Sequence, residues 1–142
     1  MSRIRPLAIC VFRYNNRILV AEGYDPIKKE TFYRPLGGGI EFGEYSEQTI
    51  HREVEEEIGA EVYELRYLGT LENVYVFNGT PGHEIVQVYD GVLKDAHFYE
   101  RAVIVGREID IDSSFQATWK HLDEFNEEKL ILYPTGLLKL LR

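Results

Sequence analysis

The chain holds a single cysteine, Cys10, so no internal disulfide can brace it. Cys10 lies in an apolar run and reads as a small buried hydrophobe. No stretch reaches the roughly eighteen apolar residues that a membrane-crossing helix requires, so no membrane partner is expected. Basic side chains are scarce: 16 Lys and Arg stand against 24 Asp and Glu, a net charge of −8. That balance disfavours a broad electrostatic grip on nucleic acid, and no stable nucleic-acid partner is expected. Residues 1–6 are too short and too polar for a secretion signal. Repeats, low-complexity tracts and linker-like stretches are missing too. These absences point to one cytoplasmic domain over residues 1–142. What is present fits: 44% of residues are apolar, enough to pack one core.

Along the chain, residues 7–14 form an apolar run that reads as a buried strand, with Asn15-Asn16 as a turn and 17–23 as the returning strand. Residues 24–31 read as a loop, followed by a triple glycine at 37–39. Residues 46–58 have helical spacing and end at Gly59, a C-cap glycine. Beyond it the pattern predicts strands over 61–71, 74–77 and 85–93, the last two joined by a turn at 78–82. Residues 95–112 read as an excursion or lid, 115–120 as a short strand and 122–125 as a helical turn. Pro134 fits the first turn of a last helix carrying Leu137, Leu138, Leu140 and Leu141. Strands and helices mixed in this order imply an α/β protein with a mixed sheet covered by helices.

The chemistry concentrates in residues 38–60, GGIEFGEYSEQTIHREVEEEIGA. At about 100° per residue, Glu53, Glu56 and Glu57 share one arc of the helix beside an apolar stripe of Ile50, Val54 and Ile58. Like charges three and four positions apart destabilise a helix by a few tenths of a kcal/mol, roughly, unless a cation sits among them. Mg²⁺ typically takes one or two carboxylates together with water and phosphate oxygens. Arg52 lies four residues before Glu56, and its fork can hold a carboxylate in one orientation. The glycines can let backbone approach a ligand where a Cβ would intrude. The bland alternative for a bare Glu55-Glu56-Glu57 run is a solvated helix face.

The spacing argues against the bland alternative. Gly38, then five residues, Glu44, then seven residues, Arg52-Glu53-Val54, Glu56-Glu57 and Gly59 resemble the Nudix box. Ala60 departs mildly, since a larger aliphatic residue is usual at that packing position. The resemblance implies an α/β/α sandwich with the box as loop, helix and loop. It implies Mg²⁺ or Mn²⁺ as cofactor, with Glu53, Glu56 and Glu57 as metal ligands and the Gly38 carbonyl as an additional one. Arg52 would orient the glutamates and Glu44 would support the site. The implied reaction is hydrolysis of a phosphoanhydride bond in a nucleoside-diphosphate-linked small molecule. Glu53 is the first choice for general base, with Glu84, Glu100 and Glu108 as rivals. Dimers are common in the family, which makes a homodimer a partner to test.

Outside the box, Arg34 could meet a substrate phosphate, with a surface ion pair as the alternative. Phe32, Tyr33, Tyr75, Phe77 and Trp119 could stack on a base, though such residues more often pack in a core. His51, His83, His97 and His121 show no metal-ligand spacing. The SQPWPFP-like array of reduced-dinucleotide pyrophosphatases is absent. A nucleoside triphosphate or another nucleotide derivative remains as substrate. The rival from another class is a non-catalytic nucleotide-binding sensor module of the same family.

Overall fold

The computed structural model describes residues 2–108, 112–126 and 129–142. Its central strand, β1 (Ile4–Tyr14), explains the layering. Successive side chains of a strand point to opposite faces. Ala8, Cys10 and Phe12 therefore join one apolar cluster, and Leu7, Ile9 and Val11 join another. A continuous apolar run is what a strand needs when both its faces are covered. On the first face lies helix α1 (Ser46–Ile58), which buries Ile50 and Val54 against Ala8, Cys10 and Phe12. On the second lies the short helix α2 (Leu137–Leu141), which buries Leu137 and Leu141 beside Leu7, Ile9 and Val11. Each fully buried aliphatic side chain stabilises this arrangement by about 1.5–3 kcal/mol. The result is an α/β/α sandwich.

Strands β2 (Arg17–Asp25), β3 (Glu30–Arg34), β4 (Leu36–Gly39), β5 (Val62–Phe77) and β6 (Thr80–Leu93) precede β7 (Val103–Glu108), β8 (Ser113–His121) and β9 (Ile131–Leu132). The order through the sheet is β5-β6-β1-β2-β3-β9, with β4 on β1, β8 on β2 and β7 on β8. The β1–β6 and β3–β9 pairs are parallel, and the other pairs are antiparallel. Among the described residues no helix is long and apolar enough to cross a membrane.

Several boundaries depart from the sequence expectation. The triple glycine belongs to β4, paired with β1 from Leu7↔Gly39 to Cys10↔Leu36, and is not a loop. The supposed loop at 24–31 shrinks, because β2 runs to Asp25 and β3 starts at Glu30. The strands predicted over 61–71 and 74–77 are one strand, β5, with register shifts near its start. The turn predicted over 78–82 narrows to Asn78-Gly79, both with positive φ, because Phe77 pairs with Thr80. Within 95–112, residues 96–100 form a 3-10 helix and 103–108 form β7, while 109–111 lie outside the described residues. Pro134 is outside α2, since Gly136 with φ 90° separates them.

Candidate active site

The box segment runs from β4 through a turn into α1. Gly38 is a glycine for a steric reason: a Cβ there would stand 2.5 Å from the carboxyl carbon of Glu53. The strand therefore packs directly onto the first glutamate of the constellation. The Gln48 side chain accepts a hydrogen bond from the Tyr45 backbone N–H (2.7 Å), which satisfies a donor at the helix start. Gly59 closes the helix in the left-handed region (φ 68°), its N–H donating to the Glu55 carbonyl at 2.8 Å. Ala60 is buried in the α1-side cluster, so its position is a packing one.

Arg52 is the hub of the segment. Its Nε donates to Glu44 Oε2 at 2.8 Å and its Nη2 to Glu44 Oε1 at 2.9 Å, a two-pronged grip. Nη1 donates to Glu53 Oε1 at 2.8 Å and reaches Glu56 Oε2 at 3.5 Å, while Nη2 also donates to the Gly39 carbonyl at 3.1 Å. One guanidinium thus ties the turn before the helix, β4 and two helix carboxylates together. Glu44 Oε1 accepts in addition from the hydroxyl of buried Thr49 (2.6 Å) and from the Glu41 N–H (3.1 Å). The Arg52 bonds, helped by Thr49 and outweighing partial burial, hold the Glu44 carboxyl down to about 2. Glu44 is therefore a carboxylate at any working pH and serves to anchor Arg52. Thr49 was not singled out from the sequence; its spacing from Glu44 gave no signal without the turn geometry.

The three helix glutamates have different surroundings. Glu56 is exposed. Glu53 is partly buried, and burial raises its pKa against the pull of Arg52. Glu57 is 5% exposed, and its Oε1 has no hydrogen-bond partner among the described residues. Burial first, and then the neighbouring Glu108 carboxylate, push Glu57 up to about 9. An unpartnered buried carboxylate oxygen costs at least about 1–3 kcal/mol, so this atom calls for a partner. A hard cation satisfies that demand with oxygen ligands, and the acidic groups acting on Glu57 are the carboxylates of Glu108 and Glu53. Among the described residues no three His, Cys, Asp or Glu side chains enclose a metal position by themselves. The residues present fit a divalent cation at Glu57.

Two adjoining clefts lead away from this point. The smaller, about 200 Å³, is lined by Glu57, Gly37, Gly38 and Glu108 among others. The larger, about 570 Å³, is lined by Phe32, Tyr75, Phe77 and Tyr133 at its apolar part. Arg5, Arg34, Glu84 and Glu108 line both, so they form the neck between an aromatic chamber and Glu57. Phe32 meets Phe77 and Tyr133 with ring centroids 5.9 and 5.4 Å away.

Of the aromatics singled out in the sequence, Phe32, Tyr75 and Phe77 line the larger cleft. Tyr33 is buried and bonds to Glu22 (3.1 Å), while Trp119 donates to the Phe98 carbonyl (3.2 Å) and stacks on Tyr99; both pack. Glu100 is exposed beside His97 and lines neither cleft. Arg5, Phe115 and Tyr133 went unnoticed in the sequence, because only strand pairing brings them to the cleft.

A family model described as NUDIX domain matches residues 4–135. Over 68 residues, 48% of this chain, the sequence is 41% identical to the NAD-capped RNA hydrolase NudC of Vibrio atlanticus (strain LGP32). It is 43% identical over 70 residues to the protein of the same name from Mannheimia succiniciproducens. The matched stretch covers 24% and 26% of those relatives, so the chain spans about a quarter of their length. Among solved structures, the MutT NUDIX hydrolase from Burkholderia pseudomallei superposes with a TM-score of 0.68 at 18% identity, covering 99% of this chain and 98% of that one. A NUDIX hydrolase from Nitrosomonas europaea gives 0.63 at 20% identity, over 98% of this chain and 86% of that one. These two likenesses concern the fold.

Proposed function

The chain belongs to the Nudix hydrolase family, and on that premise we propose that it hydrolyses a phosphoanhydride bond in a nucleoside-diphosphate-linked compound, with Mg²⁺ or Mn²⁺ as cofactor. The observation that carries this reading is the buried, unpartnered Glu57 Oε1 beside a cleft whose far part is aromatic. Glu57, Glu56 and Glu53, with the Gly38 carbonyl, would hold the cation. When bound, it supplies positive charge against the phosphate oxygens and eases the ionisation of water.

The chain's own residues do the rest. Arg52 fixes the orientation of Glu53, and Glu44 fixes Arg52. Arg34, at the neck, meets a substrate phosphate. The aromatic chamber takes the base. Glu53 removes the proton of the attacking water, its basicity raised by burial. A second reading gives that role to Glu108, because it lines both clefts and neighbours Glu57. Glu53→Gln and Glu108→Gln decide between them: the true base should lose kcat by about 10²–10⁴-fold, the other far less. The cited relatives are named for NAD-capped RNA; from that name we carry over only the class, a compound with a nucleoside diphosphate. The chain lacks the SQPWPFP-like array, so reduced dinucleotides are disfavoured within that class.

The test is a screen of the purified protein with Mg²⁺ against nucleoside triphosphates, nucleotide sugars and dinucleotides, reading phosphate or pyrophosphate release, beside Glu57→Gln. Turnover of one class, abolished in the variant, is expected. Nucleotide binding without turnover of any compound would replace the hydrolase with the sensor module.

A further inference from the structure

Two buried carboxylates, Asp25 and Glu84, take no part in the proposed hydrolysis. Glu84, on β6, is 1% exposed and lies far from the box in sequence. Its register partners are Asn73 on β5 and Arg5 on β1. The carboxylate is divided between its neighbours. Oε1 accepts from Asn73 Nδ2 (3.4 Å) and stands 3.8 Å from Arg34 Nη2. Oε2 accepts from the Tyr75 hydroxyl (3.1 Å) and stands 3.9 Å from Arg5 Nη1. Each oxygen thus has one neutral donor at bonding distance and one guanidinium at charge distance.

Gly82 makes the Tyr75 bond achievable. Tyr75 pairs with Gly82 across the hairpin, and a Cβ on Gly82 would stand 2.2 Å from the Tyr75 ring. The ring lies over the glycine and its hydroxyl reaches Glu84. Asn73 is held in turn, its Oδ1 accepting from the Thr135 N–H at 3.4 Å. The carboxylate is therefore fixed from below by uncharged groups.

The two arginines are placed differently. Their side chains are 48% and 36% exposed, and among the described residues neither guanidinium donates a hydrogen bond. Both line both clefts, at the neck between the aromatic chamber and Glu57. Two forks with unspent donors, each within 3.9 Å of a different oxygen of one buried carboxylate, can together serve an anion with several acceptor oxygens.

We propose that Arg5 and Arg34 form a two-arginine clamp for the diphosphate of the substrate, and that buried Glu84 is the positioning residue that holds the pair. This rests on the hydrolase reading for the identity of the ligand, but the clamp itself is tested without turnover. Glu84 is on this account unavailable as a general base.

The experiment measures pyrophosphate binding by calorimetry in EDTA, with adenosine as a second probe, for wild type, Glu84→Gln, Arg5→Ala and Arg34→Ala. Each arginine variant should weaken pyrophosphate by roughly 10-fold or more, as loss of a charged hydrogen bond implies. Glu84→Gln, which keeps the shape and removes the hold, should weaken it by about 3–10-fold. Adenosine affinity should stay unchanged throughout. A carboxylate that merely repels the anion predicts the opposite sign, so unchanged or tighter pyrophosphate binding in Glu84→Gln overturns the proposal. Should Glu84→Gln fail to fold, the arginine variants decide: loss in only one of them, or in neither, overturns the pair. Failure of the turnover screen alongside a working clamp would refute the hydrolase and leave the clamp standing.

Discussion

Glu57 lies near the end of α1 and Glu44 in the turn before it, and their surroundings drive their pKa values in opposite directions. For Glu44 the folded value is depressed to about 2, so its stabilisation is present above the ordinary carboxylate range and is lost as pH falls toward 2. Acid unfolding followed by circular dichroism should therefore begin at higher pH in Glu44→Gln than in wild type. For Glu57 the sign reverses. Between its ordinary value and about 9 the folded chain holds a proton that the unfolded chain has released. Metal-free stability should consequently fall as pH rises through that window, and Glu57→Gln, which cannot ionise, should melt above wild type at pH 8. About 1 kcal/mol corresponds to roughly 2–4 °C in a domain of this size. The sequence placed Glu57 on one arc of the helix with Glu53 and Glu56. It could not separate Glu57 from Glu56, because the burial of one and the exposure of the other depend on how α1 meets β7 and the glycine strand.

Among the elements, α1 was the most legible, since its apolar stripe, its carboxylate arc and its terminal glycine are local features. Gly59 adopts φ 68° and a Cβ there would meet nothing within 4 Å. Gly59→Ala should thus cost only the left-handed conformation, about 1–2 kcal/mol, and calorimetry should show a melting temperature lower by several degrees. The strands were harder. β4 carries three glycines, so it has no alternation to read, and only its pairing with β1 identifies it. β5 looked like two strands because Asn73 is polar, yet Asn73 is buried where it serves Glu84 and Thr135. The split was wrong, because pairing with β6 runs unbroken through Glu72, Asn73 and Val74.

At the scale of the whole molecule, the negative charge of the chain and the arginines of the neck are compatible, because charge is placed by the sheet and not by composition. Arg5 and Glu84 meet only through the parallel β1–β6 pair, and Arg34 joins them from the end of β3. No window of sequence contains that cluster. The sandwich brings it alongside Glu57 Oε1, which among the described residues has no hydrogen-bond partner and which on the proposed reading meets a divalent cation. The most direct measurement is the melting temperature of wild type and Glu57→Gln at pH 8, with and without millimolar Mg²⁺ or Mn²⁺. Wild type should rise by several degrees and the variant by far less, so that the metal reverses the order in which the two proteins melt. No rise in wild type with either ion, or an equal rise in both proteins, would contradict it.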